Sequence, residues 1–299
     1  MRGGGVGGAR MARGLAAVLD PDHLAIVVNV GDDDTLYGVE VSPDIDTVVA
    51  TLAGIEGPHG WGRRDDSFAV MNELDRLGVD TKFRLGDTDL AACLERTISR
   101  ASGEPLSEIT LRIAHSLGVR HPVIPVTDDR LRTRIITTEG ERLDFQDYFV
   151  ARGHRDRVAA LEFDGAADSK PAPGVVDAIA GADLVLIAPS NPPLSVWPML
   201  AVPGIEETLR SATSVIGVSP LFEGKALKGP AADVLESLGF PAGNRGVVEA
   251  YRGLLDELVV DSGDAADAAS LGAAVRVADT RIIDPDAAAR FAREILEFQ

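Results

Sequence analysis

The chain has 299 residues, which accommodates one large domain or two small ones. Its 45% hydrophobic and 25% charged residues are typical of a soluble globular protein, and a single cysteine excludes an internally disulfide-stabilised scaffold. A net charge of −18 disfavours general binding to nucleic acid or to an anionic membrane surface.

A glycine-rich segment stands near the start of the chain. Gly3, Gly5 and Gly8 fit the pattern G-x-G-x-x-G, and residues 12–19 are typical of a following helix. Glycines let backbone N–H groups approach a phosphate, and a helix N-terminus adds its positive dipole end. We predict a phosphate-binding loop that includes Gly7, with a disordered glycine tail as the alternative. Because only two residues precede the run, we expect no strand ahead of it.

Short apolar runs alternate with helical periods along the chain. Continuous apolar runs are typical of parallel strands that are covered on both faces. Strands are predicted at 24–30, 183–188 and 213–218, and helices at 67–77, 175–180, 205–212, 231–238 and 286–297. This alternation predicts the α/β class, with a doubly wound, Rossmann-like and mostly parallel sheet.

Residues 65–160 depart from this alternation. They hold two predicted helices within 90–118, a strand at 121–126 and a hairpin formed by 132–138 and 142–149. We therefore divide the chain into a Rossmann-like core, residues 1–64 and 161–299, and a largely helical insertion at 65–160. No apolar run reaches the roughly 18 residues of a membrane span and no signal peptide is evident, so we expect a cytoplasmic protein.

Carboxylates cluster after the first predicted strand. Asp32 and Asp33 follow it directly, behind Asn29, and the pair Asp44 and Asp46 precedes a helical stretch. Ligands bind outside the carboxyl ends of parallel strands, and oxygen ligands suit a Mg²⁺ ion that bridges to substrate phosphate. We predict a metal–phosphate site here. The alternative is an acidic turn followed by a helix N-cap.

Three further segments are candidates for ligand contact. Ser190 and Asn191 end the most apolar strand, residues 86–89 repeat the Asp-x-Asp pattern before a helix, and Trp61 lies between two glycines. The respective alternatives are an ordinary turn, helix capping and a surface anchor. The five histidines lack the spacing of a zinc site, and no nucleophile-elbow motif is present.

A series of short motifs extends in order along nearly the whole chain. They are Gly-Gly-Val-Gly-Gly-Ala-Arg at 4–10, Asn-Val-Gly-Asp-Asp at 29–33, Ser-Pro-Asp-Ile-Asp-Thr at 42–47, Gly-Trp-Gly-Arg at 60–63, Phe-Arg-Leu-Gly-Asp-Thr-Asp-Leu at 83–90, Phe-Gln-Asp-Tyr-Phe at 145–149, Pro-Ala-Pro-Gly-Val at 171–175, Ala-Pro-Ser-Asn-Pro at 188–192, Ala-Val-Pro-Gly-Ile at 201–205 and Val-Ser-Pro-Leu at 218–221. Together they resemble the 2-phospho-L-lactate transferase family of coenzyme F-420 biosynthesis.

The resemblance implies an activity and a set of roles. The family transfers a phospholactyl group, or a phosphoenolpyruvyl group in some bacterial members, from a guanosine diphospho donor to the ribityl hydroxyl of the deazaflavin Fo. GMP leaves, Mg²⁺ is required, and members are usually dimers. We predict Asp44 and Asp46 as Mg²⁺ ligands, Asp46, Asp32 and Asp33 as catalytic residues, Gly5, Gly7, Gly8, Asn29, Ser190 and Asn191 as the donor phosphate site, and Trp61, Arg84, Gly86, Asp87 and Asp89 as the acceptor site.

Two other functions stay open from sequence. The glycine pattern followed by Asp32 is also the order of an NAD-dependent oxidoreductase. A related family of nucleotide-sugar-binding regulators has a similar glycine loop, although segments 83–90 and 145–149 favour the transferases. The sequence does not distinguish a phospholactyl from a phosphoenolpyruvyl donor.

Overall fold

A computed structural model describes residues 2–3, 5–226 and 229–297. Gly4, the first residue of the predicted loop motif, lies outside this description. The strands are β1 Arg2–Gly3, β2 Ile26–Val28, β3 Asp34–Leu36, β4 Val39–Val41, β5 Val123–Pro125, β6 Arg132–Thr137, β7 Arg142–Asp144, β8 Val158–Asp164, β9 Val185–Ile187, β10 Val215–Val218, β11 Leu221–Phe222, β12 Lys225–Ala226, β13 Glu257–Asp261 and β14 Val275–Ala278.

The α-helices alternate with the strands of the main sheet. They are α1 Gly5–Ala16, α2 Pro43–Leu52, α3 Ala69–Arg76, α4 Asp87–Ala101, α5 Leu106–Ser116, α6 Val175–Ala180, α7 Trp197–Leu200, α8 Ile205–Arg210, α9 Ala231–Ser237, α10 Asn244–Ala250, α11 Ala265–Ala268 and α12 Pro285–Leu296. Each helix predicted from periodicity is present, with ends that differ by a few residues. Among the described residues, no helix combines the length and apolar character that crossing a membrane requires.

Seven parallel strands form the central sheet in the order β14-β13-β10-β9-β1-β2-β5. The chain builds outward from β1 to β5 on one side and from β9 to β14 on the other. The predicted doubly wound α/β fold is therefore confirmed. The order of the strands reverses between β1 and β9, and the crevice at such a switch point is where these folds bind ligands.

The expectation that no strand precedes the glycine loop was wrong. Arg2 and Gly3 pair with Val27 and Val28 of β2, and Arg2 also pairs with Ile187 of β9. A strand of two residues is too short to show a hydrophobic pattern in the sequence. It forms because the strands on its two sides hold it by main-chain hydrogen bonds. The glycine loop thus follows a strand, as a phosphate-binding loop requires.

A hairpin and a second small sheet lie outside the central sheet. Strands β3 and β4 pair antiparallel, and β6 lies between β7 and β8 in a three-stranded antiparallel sheet. The predicted division into core and insertion stays a prediction. Strand β5, which falls inside the range 65–160, pairs with β2 in the central sheet.

The second strand of the predicted hairpin is shorter than expected. Strand β7 ends at Asp144, and residues Asp147–Ala151 form a π-helical turn. Phe145 and Phe149 stack with ring centroids 5.6 Å apart. Their spacing of four residues is that of neighbours on a helix face, not of a strand.

Candidate active site

Helix α1 begins at the switch point, directly against the loop that follows β9. A Cβ atom at Gly7 would lie 2.3 Å from the carbonyl oxygen of Pro189, so only glycine permits this approach. In the same loop, the side-chain oxygen of Asn191 accepts the N–H of Leu194 at 3.3 Å. Its buried Nδ2 atom has no hydrogen-bond partner among the described residues. A buried amide donor beside a helix N-terminus suits a phosphate oxygen.

Asp44, in the first turn of α2, connects that helix to the glycine loop. Its Oδ1 atom accepts the backbone N–H of Gly5 at 2.5 Å, and its Oδ2 atom accepts the side-chain amide of Asn29 at 3.0 Å. Gly5 has a φ of +66°, a conformation that favours glycine. The first residue of α1 is thereby held over the carboxyl end of β2.

Asn29 lies just beyond the end of β2 and is fully buried. Its amide nitrogen donates to Asp44 and, at 3.4 Å, to Asp32, while its oxygen accepts the N–H of Gly31 at 2.9 Å. Sequence analysis assigned Asn29 to the donor phosphates. In the structure its side chain positions two carboxylates, and that assignment stays a prediction.

Asp32, Asp33 and Asp44 are buried carboxylates, and burial is the main reason that their pKa values are raised. Burial and then the charges of Asp44 and Asp33 hold the pKa of Asp32 well above its usual value. Burial raises the pKa of Asp33 to about 7, against the opposing charges of Arg132 and Arg96. Burial raises the pKa of Asp44 to about 6, opposed by the hydrogen bonds from Asn29 and Gly5. Perturbed carboxylates concentrated in a crevice are typical of active sites.

Asp33 has one oxygen bound and one oxygen unpaired. Its Oδ2 atom accepts the hydroxyl of Ser42 at 2.9 Å, whereas its buried Oδ1 atom has no hydrogen-bond partner among the described residues. An unsatisfied carboxylate oxygen with a pKa near neutrality is suited to accept a proton from a substrate hydroxyl.

Asp46 is held by an arginine that sequence analysis did not identify. Arg96 of α4 is 2% exposed and forms an ion pair with Asp46 Oδ1, and its Nη1 atom donates to the carbonyl of Glu40 at 3.1 Å. The signal was present in the sequence, because Asp89, Cys93 and Arg96 share one face of a helix at spacings of four and three.

Gln146 was also missed. Its side-chain amide, just after β7, donates to the backbone carbonyl of Asp32 at 2.7 Å. It lies in the motif at 145–149, where sequence analysis considered only the aromatic residues. Gln146 fixes the backbone of Asp32 from a segment 114 residues away along the chain.

The loop that contains Trp61 lies against the glycine loop. A Cβ atom at Gly60 would be 2.5 Å from the side chain of Val6, and one at Gly62 would be 3.4 Å from Asp89 Oδ2. Trp61 itself is 56% exposed, so its ring is accessible to a ligand. The structure thus brings this loop, α1 and the start of α4 together.

The predicted acceptor residues at 84–89 divide into two groups. Asp89 forms an ion pair with Arg63 at 3.1 Å, and burial, followed by the charge of Asp46, raises its pKa to about 6. Asp89 therefore adjoins the site. Asp87 accepts the N–H groups of Ala69 and Val70 at 2.9 and 3.0 Å, so it caps α3 and not, as its predicted alternative had it, the helix α4 that it begins.

Arg84 and Gly86 belong to the second group. Arg84 is exposed, binds the side chain of Asn72 at 2.6 Å and lies over the ring of Phe68. A Cβ atom at Gly86 would be 2.0 Å from Asp66 Oδ2, the carboxylate that accepts the N–H of Thr88 at the start of α4. The observed contacts of both residues are structural, and their predicted role toward a ligand stays a prediction.

The chemistry of the carboxylates at the switch point would suit one Mg²⁺ ion that is shared with a substrate. The described residues contain no group of three or more His, Cys, Asp or Glu side chains that could hold a metal ion. Mg²⁺ usually takes only one or two protein carboxylates and completes its shell with water and substrate phosphate. Asp32 and Asp44 share the amide of Asn29 and repel each other, and a cation would offset that repulsion. Asp46 is less free to act as a ligand, because Arg96 occupies Oδ1.

The fold and this site define a doubly wound α/β protein with a glycine loop at a helix N-terminus and buried carboxylates at its switch point. Such folds bind phosphorylated ligands at this place.

Comparisons with known proteins identify the family. The sequence matches the family 2-phospho-L-lactate transferase CofD over residues 1–296, so the chain belongs to that family and is a transferase. It is 40% identical over 298 residues to the 2-phospho-L-lactate transferase of Methanopyrus kandleri, with 98% of this chain and 94% of that protein covered. It is also 40% identical over 306 residues to the phosphoenolpyruvate transferase of Streptomyces coelicolor, with 98% and 95% covered.

A solved structure supports the fold. A member of the UPF0052 family from Bacillus halodurans matches with a TM-score of 0.68 and 16% sequence identity, covering 99% of this chain and 97% of that one. At this level of identity the likeness concerns the fold alone. The family resemblance deduced from the motifs is therefore confirmed by sequence, and the architecture by structure.

Proposed function

We propose that the protein acts in coenzyme F-420 biosynthesis and transfers a phospholactyl or phosphoenolpyruvyl group from a guanosine diphospho donor to the ribityl hydroxyl of Fo, releasing GMP. The observation that carries the proposal is Asp44, which joins the glycine loop to the carboxylate cluster through Gly5 and Asn29. The names of the relatives support the two candidate transferred groups.

The donor diphosphate lies at the N-terminus of α1 in this proposal. The free N–H groups of the first turn and the buried Nδ2 atom of Asn191 bind its oxygens. Charge builds on these oxygens as the GMP leaves, so donors that are fixed in advance stabilise the transition state. The close contact of Gly7 with Pro189 sets the distance between the two groups of donors.

The Mg²⁺ ion, when bound, neutralises charge on the phosphoryl oxygens. Asp32 and Asp44 would hold it, with Asn29 keeping both carboxylates in place. Asp33 takes the proton from the attacking hydroxyl at its unpaired Oδ1 atom. Trp61 and the start of α4, which carries Asp89, bound the space for the deazaflavin.

A transfer assay tests the proposal. Purified protein is mixed with Fo, Mg²⁺ and either the lactyl or the enolpyruvyl diphosphoguanosine donor, and product mass and GMP are followed. Product with one donor establishes the reaction and the transferred group together. A folded protein that forms no product with either donor contradicts the proposal and favours the nucleotide-binding regulator. Tight binding of NADH would instead favour the oxidoreductase.

Two further proposals follow from the family resemblance. We propose that the protein works in the cytoplasm, where its substrates are made, and that it is a homodimer. Sedimentation of the purified protein at several concentrations tests the second statement, since a monomer at every concentration excludes it.

A further inference from the structure

A cavity of about 100 Å³ adjoins the carboxylate cluster on its α4 side. Asp33 and Ser42 form one wall, which the cavity shares with the proposed active site. The other walls carry four arginines, Arg96, Arg100, Arg130 and Arg132. Four arginines around so small a space are unexpected in a chain with a net charge of −18.

Two of these arginines have donors that the protein leaves unused. The Nε atoms of Arg96 and Arg132 are buried and have no hydrogen-bond partner among the described residues. The two side chains are only 2% and 8% exposed. Leaving a buried donor unsatisfied is costly, and more so for a charged group, so an acceptor is expected here.

The charge balance limits the kind of acceptor. The four arginines face three acidic residues in the lining, Asp33, Glu40 and Asp129. The arginines outnumber these acidic residues by one, and Asp46 pairs with Arg96 from outside the lining, so the local charge is close to neutral and suits a singly charged carboxylate better than a phosphate with two charges. A carboxylate oxygen also accepts a single charged N–H donor, such as the unused Nε of Arg96 or of Arg132.

We propose that this cavity binds the carboxylate of the transferred phospholactyl or phosphoenolpyruvyl group. The inference rests on the proposed function, because that group carries one carboxylate beside its phosphate. Its place follows from the shared wall, since Asp33 lines the cavity and Arg96 also holds Asp46 of the active site. The arginine cavity thereby selects a donor whose transferred group is an acid.

Direct binding tests the inference without turnover. Phosphoenolpyruvate and isopropenyl phosphate differ by one carboxylate, and each is titrated into the protein by calorimetry. We expect the wild type to bind phosphoenolpyruvate about tenfold more tightly, as a charged hydrogen-bonded pair would give. General repulsion by an acidic protein would give the opposite order.

Arg100→Gln is the test variant, because Arg100 is half-buried and lines the cavity. Arg290→Gln, an exposed arginine on α12 outside the lining, removes the same charge and serves as the control. We expect Arg100→Gln to abolish the preference for the acid and Arg290→Gln to retain it. Equal thermal melting of the two variants shows that both are folded. A wild type without the preference, or a preference that Arg100→Gln leaves unchanged, overturns the inference.

Kinetics separate this inference from the proposed function. With active enzyme, Arg100→Gln should raise the KM for the donor about tenfold and leave the KM for Fo unchanged. Preference for the acid without transfer from either donor would contradict the proposed function and keep the cavity assignment. Transfer by an Arg100→Gln variant whose donor KM is unchanged would support the proposed function and contradict the cavity assignment.

Discussion

The carboxyl ends of β2 and β13 both carry buried aspartates, yet the two ends are built differently. Asp261, at the end of β13, is fully buried and accepts the N–H of Gly263 at 3.0 Å and both the N–H and the hydroxyl of Thr280 at 3.3 Å. Asp33, beyond the end of β2, accepts one hydroxyl and keeps a buried oxygen unpaired. A buried carboxylate at a strand end is thus not by itself a sign of chemistry. Incomplete hydrogen bonding is what distinguishes Asp33 from Asp261.

Exchange of Asp44 for Asn should give the largest effect. The variant loses a charge that serves the phosphoryl group but keeps the shape that packs against Gly5 and Asn29. We expect turnover to fall at least about 100-fold. The melting temperature should change little, because the amide sets a donor against the N–H of Gly5 or the amide of Asn29, while removal of a charge that burial disfavours offsets this cost. A large loss of stability in this variant would erase the contrast between the two strand ends.

Asp261→Asn is the matching change at β13. In the wild type, the carboxylate accepts N–H groups on both oxygens. The asparagine replaces one of these oxygens with an NH2 donor that faces an N–H donor, so we expect the free energy of unfolding to fall by about 2 kcal/mol. Urea denaturation measures the loss. The kcat/KM per folded molecule should equal that of the wild type, and a selective fall in this ratio would assign chemistry to β13 as well.

Two glycines of α1 offer a second matched pair. A Cβ atom at Gly7 would lie 2.3 Å from the carbonyl oxygen of Pro189, and one at Gly14 would lie 2.3 Å from that of Ala288. Alanine at either position should cost about 1–3 kcal/mol of stability. Only Gly7→Ala should also raise the donor KM, by about tenfold, since only Gly7 adjoins the proposed phosphate site. Steady-state kinetics at saturating Fo checks this difference.

Stability should depend on pH through the β2 end. The folded-state pKa of Asp33 is about 7 and that of Asp44 about 6, both above the usual value for aspartate. Between pH 4 and 7, on the order of the unfolded and folded pKa values, the native state holds protons that the unfolded state releases, so stability falls as pH rises. Urea midpoints at pH 5, 6 and 7 should show this fall in the wild type. Asp33→Asn should flatten it, whereas Asp80→Asn, at an exposed site, should leave it unchanged.

Trp61→Ala should give the smallest effect. The ring is 56% exposed, so its removal should leave the melting temperature unchanged. If the ring stacks on the deazaflavin, the KM for Fo should rise about fivefold while the KM for the donor stays the same. Equal changes in both KM values would instead indicate that the loop acts on the glycine loop through the Gly60 contact with Val6.

The order of elements and the presence of acidic turns at strand ends were predictable, since apolar runs and acidic turns are local signals. The aspartates at 32, 33 and 44 could be grouped because the carboxyl ends of parallel strands meet at one edge. The strand Arg2–Gly3 could not be predicted, because its neighbours in the sheet come from residues 26–28 and 185–187. Gln146 was missed for the same reason, because its partner Asp32 lies 114 residues away along the chain. The helical spacing of Arg96 with Asp89 and Cys93 was visible in the sequence, but its partner Asp46, 50 residues away, was not.

Sequence alone also could not separate a capping carboxylate from a chemical one. Asp87 and Asp89 lie in the same Asp-x-Asp turn, yet one caps a helix and the other adjoins Asp46. Asp44 and Asp46 have the same spacing as Asp87 and Asp89, so the spacing does not reveal which groups each carboxylate contacts. Only the three-dimensional surroundings of each carboxylate distinguish the two roles.

Helix α1 rests on two carbonyl groups, seven residues apart, at Gly7 and Gly14. Two turns of helix place both contacts on one side, about 10 Å apart along the axis. Close contacts therefore hold the helix at two points, one beside the glycine loop and one on α12. A ligand that binds at the first contact would stabilise the helix and with it the second contact, so we expect amide exchange in residues 285–292 to slow when a nucleotide occupies the loop. Amide exchange in the last helix of the chain would then report on ligand binding at its first helix.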